Sequence, residues 1–112
     1  PDQLRRMTDL VAGLLRQALD AFVNLDGRQA RRVVRLDDEV DRYHADIIAA
    51  LIARMKADPD AVEPGLSLFS ATRHLERIGD HATNVAEDVV YLVDGEIVRH
   101  RPEAVAGAEA TK

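Results

Sequence analysis

Apolar residues recur at spacings of three and four along most of the chain, the period of one face of a helix. Leu4, Met7, Val11, Leu14, Ala18, Phe22 and Leu25 form a first stripe, and Asp2, Arg5, Asp9, Arg16 and Asp20 take the opposite side. This predicts a helix over 2–25. The stretch "NLDGR" at 24–28 ends it, with Asn24 and Gly27 as turn formers and Asp26 as N-cap of the next helix. A second helix is predicted over 27–56, with Val33, Val40, Ile47, Leu51 and Met55 on one face. "ADPDAVEPG" at 57–65 breaks it, with Asp58 or Asp60 as N-cap and Pro64 confined to a first turn. A third helix is predicted over 62–93, and "DG" at 94–95 is expected to stop it. "EIVRHR" then reads as extended or irregular, and "PEAVAGAEATK" as a disordered tail.

Three long helices with short connections must run antiparallel. The expected fold is all-α, an elongated up-down-up three-helix bundle over 1–101, with the tail at 102–112. No internal repeat is visible within it.

The apolar pattern breaks in two places. In "LDDEVDRYH", Asp37, Asp41 and His44 fall within the apolar arc of the second helix, whereas Asp38, Glu39, Arg42 and Asp46 point away. In "RHLERIGDHATNVAEDVVYL", the core face is read as Leu68, Ala71, Leu75, Ile78, Ala82, Val85, Ala86, Val89 and Val93. Glu76, Asp80, Asn84 and Glu87 form a second stripe, about 100–150° round the wheel. Gly79 sits beside the apolar face, where it costs about 1 kcal/mol relative to Ala, so close approach of a neighbouring helix is expected. Like charges one turn apart repel. Arg73 and Arg77 stand at spacings that allow pairing with Glu76 and Asp80, which is the ordinary reading of a solvated face. Yet the stripe holds no Lys, and a second carboxylate pair, Asp37 and Asp41, lies on the preceding antiparallel helix. Hard or borderline cations, Mg²⁺, Mn²⁺, Fe or Zn²⁺, would relieve the repulsion.

Composition narrows the classes. The net charge is −5, and the arginines of "RQARRVVR" are followed at once by "DDE", which argues against a nucleic-acid backbone as ligand. There is no cysteine, so disulfides and thiolate metal sites are excluded. No apolar run approaches the ~20 residues of a membrane span. Asp41-x-x-His44 is a single weak match to the Glu-x-x-His of di-iron bundles, so His44 reads first as a packed residue. HExxH, G-x-S-x-G and Gly-rich phosphate loops are missing, which disfavours an enzyme.

"LERIGDHATNVAEDVVYLVDGEIVRH", preceded by "LDDEVDRYHADI", resembles the PhoU family of phosphate-signalling regulators. Asp37-x-x-x-Asp41 and Glu76-x-x-x-Asp80 match the family's two E/D-x-x-x-D motifs, and Asn84 and Glu87 match the tail of the second run. The likeness spans about residues 1–101. Family members resemble tandems of two such bundles, so the chain reads as the C-terminal half of one. The resemblance implies a cytoplasmic negative regulator of the phosphate-starvation response, linking a phosphate ABC transporter ATPase to a sensor histidine kinase. It further implies metal at Asp37, Asp41, Glu76 and Asp80, as Fe or Zn clusters or as Mg²⁺ or Mn²⁺. Asn84, Glu87 and His44 would extend or orient that site. The resemblance also implies membrane contact that is peripheral only, as in some Mg²⁺- or Mn²⁺-binding members, and a homodimer, which is common in the family. Two other readings stand beside it, a di-iron oxidase-like protein and a purely structural helical module.

Overall fold

The computed structural model describes residues 2–99, so the expected tail at 102–112 lies outside the described residues. Helix α1 spans Asp2–Asn24, α2 spans Gly27–Ala57 and α3 spans Val62–Arg99, with a single 3₁₀ turn at Pro59–Ala61. No strand occurs among the described residues. The three helices pack antiparallel in an elongated bundle 66 Å long, and each pair shares a seam. No described helix is long and apolar enough to cross a membrane.

The first connection is tighter than its sequence suggests. The Asp26 N–H donates to Ala21 O at 2.8 Å and the Leu25 N–H to Phe22 O at 3.3 Å, closing α1 with a Schellman pair. The left-handed position falls on Leu25 (φ 49°), and neither Asn24 nor Gly27 takes it. A side chain there costs roughly 1–2 kcal/mol. Gly27 has another use. It is the first residue of α2 and is buried, and a Cβ on it would stand 3.1 Å from Val93 Cγ1 of α3. Asp26 caps α2 as expected, accepting from the Gln29 N–H at 3.1 Å. At the other end Pro59 forces Asp58 into an extended conformation, which stops α2. The Asp58 carboxylate then accepts from the Asp60 N–H at 3.0 Å.

The core is aliphatic and thin: Met7, Val11, Leu14, Ala18 and Ala21 from α1, Ala30, Val33, Val40 and Ile47 from α2, and Ala82, Ala86 and Val89 from α3. Three expectations are corrected. Phe22 and Leu25, assigned to the first stripe, are exposed, because the bundle ends there and Ala21 fills the last core position. The third helix does not stop at Asp94–Gly95. Gly95 keeps a right-handed φ, and Arg31 Nη2 holds Asp94 Oδ1 at 2.7 Å, so α3 runs on to Arg99 through most of the piece expected to be irregular. The buried face of α3 is also turned. Thr72, Gly79, Ala82, Thr83, Ala86 and Val89 are buried, whereas Leu68, Ala71 and Ile78 are exposed. This face lies about 50° from the one that hydrophobicity picks, rotated toward the acidic stripe. Small residues cause the turn. A Cβ on Gly79 would meet Val40 Cγ1 at 3.3 Å and Val11 Cγ2 at 3.7 Å, so the glycine lets both α1 and α2 pack against α3 here, the close approach its cost implied.

Gly79→Leu is expected to overpack this point and destabilise the chain by about 1–3 kcal/mol. That corresponds to a thermal midpoint lower by roughly 5–20 °C for a domain of this size. Gly13→Ala is the contrast, because nothing lies within 4 Å of its added Cβ. It should gain up to ~1 kcal/mol of helix propensity. Thermal melts followed by circular dichroism compare the two; equal midpoints would remove the close-approach account of Gly79.

Candidate metal centre

The rotation of α3 carries the acidic stripe to the edge of the core, facing α2. Asp37 and Asp41 lie one turn apart on α2, and Asp80 lies across the seam on α3. One carboxylate oxygen from each of the three falls within 4.8 Å of the others. Asp37 is half-buried, and Asp41 and Asp80 are exposed. The cluster is therefore at the bundle surface, outside the core. No basic side chain forms an ion pair with any of the three among the described residues.

The charges act on one another. The Asp41 carboxyl is raised above its ordinary range, first by partial desolvation and then by the charges of Asp37, Asp80 and Asp38, with His44 opposing. Asp80 is raised by desolvation and then by Asp37 and Glu76, with His81 and His44 opposing. Both directions mean that this place disfavours more negative charge.

Two further residues shape the cluster. Thr83 is buried, and its hydroxyl lies 3.1 Å from Asp37 Oδ1 and 3.0 Å from Gly79 O. A threonine in an α-helix commonly bonds the carbonyl four residues back; here the same hydroxyl also reaches across the seam to fix Asp37. The hydropathy pattern passes over Thr83, and its only sequence signal is a polar residue one turn after Gly79. His44 Nδ1 stands 3.2 Å from Glu76 Oε2, while its Nε2 is inaccessible to solvent and has no hydrogen-bond partner. A proton on Nδ1 lets the ring donate to Glu76 and leaves the buried Nε2 bare.

The residues named from sequence thus separate. Asp37, Asp41 and Asp80 come together. Glu76 is beside them but engaged with His44. Asn84 is exposed, one turn beyond Asp80, and Glu87 lies further along in a separate groove with Arg31, Val34, Arg35 and Val90. Arg73 and Arg77 pair with neither Glu76 nor Asp80 among the described residues. They line a shallow hollow with Phe69, Ser70 and His74.

The three-carboxylate set fits a hard cation. Mg²⁺ takes oxygens at about 2.0–2.1 Å and Ca²⁺ at about 2.3–2.6 Å, so ligands on opposite sides of one ion stand roughly 4–5 Å apart. The spacing of the three oxygens lies within that reach. An all-oxygen, solvent-open set suits Mg²⁺, Mn²⁺ or a carboxylate-bound iron better than Zn²⁺, which favours nitrogen and sulfur.

An all-α three-helix bundle with a carboxylate cluster across one seam defines a small helical module built to present charge on its surface. The comparisons with known proteins are specific. The PhoU domain model matches residues 4–89. A phosphate-specific transport system accessory protein PhoU homolog of Pseudomonas putida is 42% identical over 98 residues, covering 88% of this chain and 38% of that protein. A homolog of the same description from Burkholderia is 38% identical over 104 residues, covering 92% of this chain and 44% of its own length. The crystal structure of PhoU from Pseudomonas aeruginosa superposes with a TM-score of 0.80 at 42% identity, over 81% of this chain and 44% of that one. The chain belongs to the PhoU domain family, and it spans about two-fifths of the length of the curated relatives it matches.

A stability measurement tests the electrostatics directly. The unfolded carboxyls of Asp41 and Asp80 titrate near 3.8 and the folded ones higher. The folded chain therefore binds more protons in that window, and its stability falls as pH rises through the folded values. Asp80→Asn is expected to raise the midpoint of the cation-free chain at pH 7 by about 2–4 °C, on the order of 0.5 kcal/mol for relief of exposed like charges. The gain should vanish below about pH 4, where both proteins carry a neutral group. Thermal melts in EDTA between pH 3.5 and 8 check it; a wild type more stable than the variant at pH 7 would contradict the repulsion.

Proposed function

We propose that the chain is part of a non-catalytic accessory protein of phosphate-specific transport, in which a cation held by Asp37, Asp41 and Asp80 stabilises one face of the bundle. The observation that carries this reading is the meeting of the three carboxylates across the α2–α3 seam, in a fold whose relatives are named as accessory proteins of that transport system. When bound, the cation would supply positive charge that offsets the mutual repulsion. The residues do the rest: Thr83 holds Asp37 in place, and Glu76, steadied by His44, adds negative charge beside Asp80. Glu76 contacts His44 through Oε2 alone, which leaves Oε1 free to join the coordination sphere. Mg²⁺ and Mn²⁺ fit the donor set first, and iron follows.

In this reading the protein works in the cytoplasm as a negative regulator of the phosphate-starvation response. It bridges the ATPase of the phosphate ABC transporter and a sensor histidine kinase, and the ordered face of the bundle is what the partners meet. The oxidase-like alternative draws little support. Its site needs coupled carboxylate–histidine pairs between helices, and His44, the histidine on the α2 side of the cluster, has Nδ1 engaged with Glu76 and Nε2 buried. A module held by salt bridges is weaker still, since the two ion pairs found among the described residues leave the triad unpaired.

Calorimetric titration of Mg²⁺, Mn²⁺, Fe²⁺ and Zn²⁺ into the chain should show at least one ion binding more tightly than about 1 mM, worth roughly 4 kcal/mol. The double variant Asp41→Asn with Asp80→Asn should lose about tenfold or more of that affinity. Binding weaker than millimolar for all four ions ends the metal reading. For the adaptor role, the kinase's cytoplasmic part should retain the protein in a pull-down. No retention at any phosphate concentration would end that part alone.

A further inference from the structure

The seam between α2 and α3 carries a second feature, toward the N-terminal end of α2. A groove of about 320 Å³ opens there, floored by Val34 and Val90 and walled by Arg31, Arg35 and Glu87. Arg28, Arg31, Arg32 and Arg35 fall within roughly 100° of the helix wheel on the exposed side of α2. Arg31 is paired with Asp94 at 2.7 Å. Among the described residues Arg28, Arg32 and Arg35 have no carboxylate within salt-bridge reach, although Asp38 and Glu39 stand three and four positions after Arg35. Tyr91, next to Val90, is 81% exposed. An otherwise acidic chain thus presents a local cationic surface beside two apolar side chains. All four cations are arginine, the residue that grips carboxylates in two-pronged fashion and is enriched with tyrosine at protein interfaces.

We propose that this groove docks an acidic, amphipathic segment of a protein partner, with apolar side chains on Val34 and Val90 and carboxylates on Arg35, Arg32 and Arg28. Chemistry favours a protein over a lipid surface: the arginines stand beside an acid, Glu87, and two apolar side chains, a mixture that a peptide can match residue by residue. Charge decides against a nucleic acid. Glu87 in the wall and the triad further down the seam would both repel a phosphate backbone, whereas a short segment can keep its carboxylates on the arginine side. The inference deepens the adaptor reading and rests on it in requiring a protein partner, but it does not need the cation.

The probe is a fluorescein-labelled peptide of four Glu-Leu-Glu-Glu repeats, with a Lys-Leu-Lys-Lys peptide as the reversed-charge control. Anisotropy with the full 112-residue chain should saturate for the acidic peptide alone. The affinity should fall about tenfold or more between low salt and roughly 0.3 M NaCl. Arg32→Ala with Arg35→Ala should weaken binding about tenfold. Val34→Asp should abolish it, and Arg5→Ala with Arg6→Ala should leave it unchanged. Melts of each variant confirm folding; if Val34→Asp unfolds, Val34→Ala, expected to weaken binding severalfold, replaces it. Three results would overturn the proposal: no saturable binding of the acidic peptide, equal binding by wild type and the arginine variant, or arginine-dependent co-sedimentation with phosphatidylglycerol vesicles without peptide binding. Lost peptide binding with intact cation titration removes this inference alone, and the converse removes only the metal reading.

Discussion

A close approach at Gly79, where side chains of both α1 and α2 come against α3, sets how that helix is turned and where its acids lie. With no side chain there, Val40 and Val11 come against α3, and the helix turns its small residues inward. That turn brings Asp80 beside Asp37 and Asp41, and it puts Thr83 where its hydroxyl can hold Asp37. A larger residue at 79 would push α3 outward and separate the acids. The glycine therefore acts twice through one contact. It costs about 1 kcal/mol of helix propensity, which close packing offsets, and it fixes the register of the charged cluster with no contact to the carboxylates.

A cluster of like charges that the fold itself assembles is a standing cost, though a small one. Asp41 and Asp80 are exposed, so water screens most of the repulsion, and the penalty remains in the range typical of surface pairs. Raised carboxyls at the rim leave a site that gains from any cation able to share their oxygens. A cation bound here would add to a bundle that buries an aliphatic core of its own, a different case from small domains whose folding free energy is mainly metal binding.

The helices and their order were legible because three-and-four spacing survives over twenty or more residues in each. Asp26 as a cap and the stop at Asp58 were legible too, since capping and the residue before proline act locally. What escaped was set by contacts between helices. Gly79, Thr72 and Thr83 carry almost no hydrophobic signal, so a hydropathy wheel put the buried face of α3 about 50° away, on Leu68, Ala71 and Ile78. "DG" looked like a stop, yet Gly95 keeps a helical φ and Arg31 secures Asp94 from the neighbouring helix. Among the candidate ligands, the motif spacing named Asp37, Asp41 and Asp80, which the fold brings together. It could not show that Glu76 faces His44, or that Glu87, two turns beyond Asp80, belongs to another part of the seam.

The α2–α3 seam is thus one surface with two electrostatic halves. Val34, in the arginine-walled groove, and Asp41, in the carboxylate cluster, are seven residues apart on α2, about 10 Å along the helix. That is near the screening length at physiological salt, about 8 Å, so the two halves feel each other weakly but measurably. An acidic segment lying in the groove would be repelled by the bare carboxylates, and a cation on the triad would remove that repulsion. By linkage the segment would then favour the cation to the same degree. Screening at this distance limits such coupling to a modest bias, one that salt would erase well before it dissolved the bundle.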